Sequence, residues 1–141
     1  DLIVAAENAV FGFPEMQAGM TVTGGASKLL AMIVGLNRAR ELMLTGEFID
    51  AAEAWRIGLV NKLAAAGEEE DKAESMARMV MSRAPLAIAQ HKRLLAQSTE
   101  SDFETVLNLE KQTISNLIFT EDYGEGITAF TEKRKPEFKG R

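Results

Sequence analysis

The chain contains no cysteine and a single histidine, His91, in 141 residues. Disulfide bonds and thiol chemistry are thereby excluded, and so is a histidine-rich metal site; no metal is expected. Long apolar runs are also lacking: each stretch is interrupted well short of the roughly 20 residues that a membrane-spanning helix needs. The sequence reads as soluble, with no membrane partner. Asp1 opens no secretory leader, because a basic segment followed by an apolar one is missing there. Positive charge is scarce, 16 basic side chains against 21 acidic ones, for a net charge of −5. Nucleic acid is not an expected partner, since displacing counterions from phosphates takes clustered Lys and Arg. Proline occurs three times, and 46% of residues are hydrophobic, enough for one globular core with a small satellite.

What is present falls into two parts, residues 1–65 and 66–141. Leu2-Ile3-Val4 has the make-up of a buried strand, and a second short strand is expected to end near Phe11. Isolated strands are unstable in water, so a chain opening on one is expected to lack preceding sheet neighbours. Phe11-Gly12-Phe13-Pro14-Glu15 then carries the one carboxylate with a chemical claim. Placed among two aromatics, a proline and Met16, Glu15 is expected to be partly desolvated, which favours the neutral form of a carboxylate and suits it to general acid/base work. The alternative is a turn made by Gly12 and Pro14 that points Glu15 into water.

Gly19 to Gly25 reads as a loop, followed by a helix with Leu29, Leu30 and Ile33 on one face. Gly24-Gly25 fits neither G-x-G-x-x-G nor the P-loop, so no phosphate role is assigned to it. A second helix is expected from an Asn37 N-cap to Gly46, a residue suited to the left-handed C-terminal position. Asp50 and Glu53 form a D-x-x-E capping box for a helix reaching about Ile57. Gly58 ends it, and Leu59-Val60 suggests a further strand.

Residues 66–141 are expected to be mostly helical. The acidic run Glu68 to Asp71 complements a helix N-terminus and does not converge as a metal site would. Ala73, Met76, Ala77 and Val80 recur at helical spacing, Ala84-Pro85 breaks the chain, and Leu86 to Leu95 resumes it. His91 has no nucleophile at diagnostic spacing and reads as a surface residue. Ser101 and Glu104 form another capping box, opening what should be the longest helix, striped by Phe103, Leu107, Ile114, Leu117 and Ile118. That stripe calls for a partner, either the preceding helices or a second subunit. A last helix spans Asp122 to Lys133, and the basic end through Arg141 reads as a solvated tail.

Taken together and in order, Phe11-Gly12-Phe13-Pro14-Glu15 with Gly19, Gly24-Gly25, Leu44-Thr45-Gly46, Gly58-Leu59-Val60, and Glu125-Gly126 with Ala129-Phe130 resemble the C-terminal half of the crotonase superfamily, the enoyl-CoA hydratases and isomerases. The resemblance runs from Asp1 to Phe138. It implies a fragment of the α/β crotonase spiral fold, with few short strands and a helical C-terminal region that builds trimers or hexamers and covers coenzyme A. It also implies an acyl-CoA thioester as substrate, no separate cofactor, and a cytoplasmic location in a bacterium or the mitochondrial matrix in a eukaryote.

By the same resemblance Glu15 is the acid/base acting on the carbon beside the thioester carbonyl. Phe130 and Lys133 match an aromatic and a lysine of the final helix that, often from a neighbouring subunit, help hold the adenine and phosphates of coenzyme A. Val22-Thr23 stands where hydratases carry Pro-Gly; the Thr23 backbone N–H remains available to place a water. Ile114 replaces a further aromatic of some hydratases. The oxyanion hole and any second glutamate belong to the family's upstream half, so residues 1–141 alone are expected to be inactive. Hydratase is preferred to isomerase, and a non-catalytic oligomerisation module from a diverged or truncated relative is the alternative.

Overall fold

A computed structural model describes residues 1–141. Its contacts divide the chain into two compact units, Asp1–Ser75 and Met76–Arg141. The first contains β1 (Val4–Ala6), β2 (Val10–Phe11), a 3-10 turn (Pro14–Ala18), α1 (Ala26–Val34), α2 (Leu36–Thr45), β3 (Ile49–Asp50), α3 (Ala51–Arg56) and β4 (Lys62–Ala64). α4 (Glu69–Met81) runs across the boundary, and α5 (Pro85–Ser98), α6 (Phe103–Leu117) and α7 (Glu121–Glu132) complete the second unit.

β1 and β4 pair in parallel, with Ala5 opposite Leu63, so everything between them forms one long crossover. Asn61 extends the pairing: its Oδ1 accepts from Ile3 N at 2.7 Å, and its own N–H donates to Ile3 O at 2.9 Å. The strand starts two residues later than the apolar run implied, and the expected Leu59-Val60 strand is displaced to Lys62–Ala64. Val60 is instead core, 2% exposed beside Ala5 and Ala54. Its N–H is held by Ala54 O, a helix-end turn that leaves no ladder partner. Antiparallel β2 and β3 set Phe11 against Ile49.

A second cluster joins α1 and α2 through Leu30, Ala39, Leu42 and Met43, with Phe13, Val22, Ala26 and Val34 packed on it. Each fully buried aliphatic side chain of this size contributes about 1.5–3 kcal/mol. The packed stripe of α1 is therefore Ala26, Leu30 and Val34, at i and i+4 spacing; Leu29 and Ile33 are exposed. Gly35 is the N-cap of α2 and Asn37 lies inside its first turn, because Gly35 at φ 81° ends α1 and turns the chain directly into α2.

Gly46, at φ 67°, closes α2 in the left-handed region as expected. Asp50 caps α3 by accepting from Glu53 N at 2.7 Å. The Glu53 carboxylate binds Arg56 and Arg38 rather than turning back on the cap.

In the second unit α5 begins with Pro85 at its first position, and α6 is the longest helix of the chain. Its cap is Asp102, whose Oδ1 accepts from Thr105 N at 3.0 Å; Ser101 instead donates to Gln97 O and finishes the previous turn. The Thr105 hydroxyl and N–H hold the Asp102 carboxyl below the usual carboxylate range. α5 packs on α6, and the more sheltered line of α6 is Val106, Leu109, Thr113 and Leu117. Phe103, Leu107, Ile114 and Ile118 of the expected stripe are exposed.

The acidic start of α4 behaves as a cap, with Glu69 accepting from Gly67 N at 2.8 Å. His91 lies on the surface. No helix is long and apolar enough to cross a membrane, and no three His, Cys, Asp or Glu converge as a metal site.

Candidate active site

Phe11 packs toward the Ala5–Ala54–Val60 cluster and Phe13 toward the Leu30–Leu42–Met43 cluster. The segment between them is thus fastened to both cores. Gly12 runs so close to the Phe48 ring that an added Cβ would lie 2.7 Å from its Cδ1. Pro14 then starts a 3-10 turn, and Gly19 closes it at φ 72°. Proline fits the first position because its fixed φ is already helical and its missing N–H would have had no partner.

Gln17 ties this turn to the end of α2 by donating from Nε2 to Gly46 O at 2.7 Å. A Cβ on Gly46 would meet the Gln17 side chain at 3.1 Å. Gly46 is thus both a left-handed cap and a docking surface for the turn; the sequence shows only the first role.

Glu15 sits on this braced turn. Its backbone O accepts from Met20 N at 2.9 Å, and its side chain is half-buried. The carboxylate atom Oε2 is enclosed and is not hydrogen-bonded by any protein group. A carboxylate pointing wholly into water is therefore not what the fold produces. Enclosed carboxylate oxygens are nearly always satisfied by donors, so one left open by its own protein stands out as a place where a reacting group can be received.

Thr23 lies exposed at the start of the turn leading into α1, and its carbonyl accepts a long bond from Ala26 N at 3.4 Å. Its neighbour Val22 packs on the same cluster as Phe13. Glu15 and Thr23 thus lie on segments that share one apolar base. Gly24 and Gly25, at φ 71° and 80°, supply the left-handed turn that lets α1 begin.

Phe130 and Lys133 belong to the second unit, at the end of α7. Phe130 is 85% exposed. Lys133 is the C-cap at φ 56° and ψ 37°, the one non-glycine residue with positive φ. The left-handed conformation costs a residue with a Cβ roughly 1–2 kcal/mol and persists only where its surroundings impose it.

The charged side chains of the tail are exposed, as a solvated tail requires, but its backbone is anchored to α7. α7 is capped by Thr120, whose Oγ1 accepts from Tyr123 N, and it holds the segment that follows it. Asp122, 3% exposed, accepts from Lys139 N at 2.6 Å and Gly140 N at 2.8 Å, while its own N–H donates to Arg141 O. Glu125 takes Arg134 in a two-pronged ion pair at 2.6 and 2.9 Å and accepts from Glu137 N at 2.8 Å. The Arg134 guanidinium, helped by the Glu137 N–H, holds the Glu125 carboxyl down at about 2. Its two carboxylate partners, Glu125 and Glu132, push Arg134 up.

The groove of about 680 Å³ beside this network is lined by groups already paired with one another, Glu125 and Arg134 among them. Asp122 and Glu125 were missed as functional anchors because their partners are backbone N–H groups and an arginine up to 18 residues away.

A family model described as "Enoyl-CoA hydratase/isomerase" matches residues 1–141. A probable mitochondrial enoyl-CoA hydratase 2 of Arabidopsis thaliana is 39% identical over 99% of this chain and 46% of its own length. A short-chain-enoyl-CoA hydratase of Clostridium acetobutylicum is 38% identical over 100% of this chain and 54% of its own. Among solved structures, an enoyl-CoA hydratase from Bacillus anthracis superimposes with a TM-score of 0.96 at 35% identity, covering the whole chain and 55% of that protein. The chain therefore belongs to the enoyl-CoA hydratase/isomerase family of the crotonase superfamily and has the crotonase fold. It spans about half the length of the relatives it matches.

Proposed function

We propose that this chain is the C-terminal half of an acyl-CoA enzyme in which Glu15 transfers a proton at the α-carbon of an enoyl thioester. The observation that carries the reading is the Glu15 carboxylate, half-buried on a braced turn with one enclosed oxygen unclaimed by the protein. Proton transfer at that carbon needs the thioester carbonyl to be polarised so that charge can move onto its oxygen. The upstream half would supply those donors; each is worth a few kcal/mol, so the present residues alone should turn over roughly a hundredfold or more slowly per missing donor.

Hydration adds water across the double bond, whereas isomerisation shifts the bond. Hydration is the preferred outcome, in keeping with the hydratase names of the relatives. It calls for one carboxylate at water and one at carbon, with Glu15 taking the second role and the Thr23 N–H helping to place the water. Coenzyme A enters as part of the substrate, with the Phe130 ring against adenine and the Lys133 ammonium against phosphate. The apolar side chains exposed on α6 and α7 support assembly into a trimer or hexamer. The same surface supports the second reading, a non-catalytic assembly module.

The test is Glu15→Gln in the full-length protein with crotonyl-CoA as substrate. The expected loss is about 10²–10⁴-fold in kcat, with KM changed little. A product heavier by one water marks hydration, and an unchanged mass with a moved double bond marks isomerisation. Full turnover in the Gln variant removes Glu15 from the chemistry. A wild-type protein that assembles yet converts no enoyl thioester establishes the module.

A further inference from the structure

Lys133 ends α7 in a backbone conformation that lysine does not choose for itself; the backbone bonds that close the helix there are reinforced by the side chain of the next residue. Three backbone bonds close the turn: Lys133 N donates to Phe130 O at 3.3 Å and to Ala129 O, and Arg134 N donates to Ala129 O at 3.0 Å. Arg134, by contrast, is gripped by side chains: Glu125 holds both ends of its guanidinium, Glu132 takes Nε at 2.6 Å, and Nη1 also reaches Lys135 O. Glu125 lies two helical turns back along α7, on its rigid part, and its second bond to Glu137 N fixes the chain beyond Arg134 as well. The Lys133 side chain is exposed and takes no part in this network.

We infer that the Glu125–Arg134 ion pair is a positioning device for the Lys133 ammonium. It pins the residue after Lys133 to the body of α7, keeps Lys133 in the left-handed turn, and so aims a free cation at the phosphates of an acyl-CoA. Glu125 and Arg134 touch no substrate in this scheme; they act through the backbone they hold. The inference rests on the reading of Lys133 as a phosphate contact, and the two are separable by experiment. A planar guanidinium held at two points fixes direction as well as distance, which a single-point lysine pair would not do.

The measurement is the ratio of kcat/KM for crotonyl-CoA to that for crotonyl-pantetheine, which carries the same reacting group without the nucleotide phosphates. It is made on the full-length enzyme. Lys133→Asn tests the underlying contact, because asparagine tolerates the left-handed conformation and removes the charge. It should lower the ratio roughly tenfold, the size of one charge-assisted contact, through KM for the CoA thioester alone. Glu125→Gln and Arg134→Gln should each lower the same ratio about threefold or more, again through KM, with kcat and the pantetheine substrate unaffected.

If Lys133→Asn lowers the ratio and both pair variants leave it at the wild-type value, the positioning role is overturned and the phosphate contact stands. An unchanged ratio in Lys133→Asn overturns the phosphate contact itself, and the inference with it. Pair variants that impair both thioesters equally show a general structural role and also overturn the inference.

Discussion

At the scale of single residues, glycine does two kinds of work here, and only one is visible as turn chemistry. Gly12 has no need of a positive φ; it is glycine because the Phe48 ring occupies the space of a Cβ. Gly12→Ala should push that ring aside and cost about 1–3 kcal/mol of stability, read as a lowered urea midpoint with unchanged slope. Lys133 is the opposite case, a residue with a Cβ where glycine belongs. Lys133→Gly removes the strain but adds freedom to the unfolded chain, so a net gain of about 0.5–1 kcal/mol is expected. The same variant should bind acyl-CoA more weakly; calorimetric melting together with KM would display the two effects as opposite in sign.

At the scale of elements, α7 and the tail it captures form one unit. Asp122 satisfies two tail N–H groups from an almost fully buried position. Asp122→Ala leaves both without a partner and should cost about 2–3 kcal/mol, with faster amide exchange at Lys139 and Gly140 as the local readout. Glu125 makes the latch sensitive to acid. Its carboxyl is held near 2 in the fold against an ordinary 4.5, so its contribution is complete above pH 4.5 and is lost as the pH falls from there through about 2. The protection factor of the Glu137 amide, its exchange rate relative to the intrinsic rate at the same pH, should therefore fall across that window, and Glu125→Gln should abolish the step. The 3-10 turn of Glu15 is an element of another kind, held by Phe13 from one side and by the Gln17 bond to α2 from another.

At the scale of the whole molecule, the buried core is small for the number of large apolar residues. Phe103, Phe119 and Phe130 are each more than three-quarters exposed, and Leu29, Ile33, Ile114 and Ile127 are at least half exposed. Contiguous apolar patches on a protein surface mark sites of interaction. For the proposed oligomer, Phe119→Lys in the full-length protein should shift the mass measured by light scattering toward the single chain if α6 and its end form the subunit contact. A mass that stays at the assembled value assigns this face to contacts within one chain.

Much of this was legible in sequence, and the reason is local. Gly46 as a left-handed cap, the interruption between helices at Ala84-Pro85 and Asp50 as an N-cap follow from the chemistry of one residue and its near neighbours. The ordered set of short segments from Phe11 to Phe130 was sufficient to indicate the crotonase family.

Other features needed the tertiary structure. Helix periodicity could not choose between Leu30 and its neighbours Leu29 and Ile33, since all three are apolar and only the position of α2 selects the stripe. The capping pattern at Ser101 was satisfied equally well by Asp102 one residue later. The tail beyond Lys133 is exposed charge, as its composition indicates, but nothing local reveals that its N–H groups and Arg134 meet carboxylates on α7. Sequence by itself determined which segments are helical and, to within a residue or two, where they end, through interactions that span at most a few residues. Which side of each helix is buried and where the last eight residues go were decided only when distant segments met, because those energies belong to pairs that the chain order does not place together.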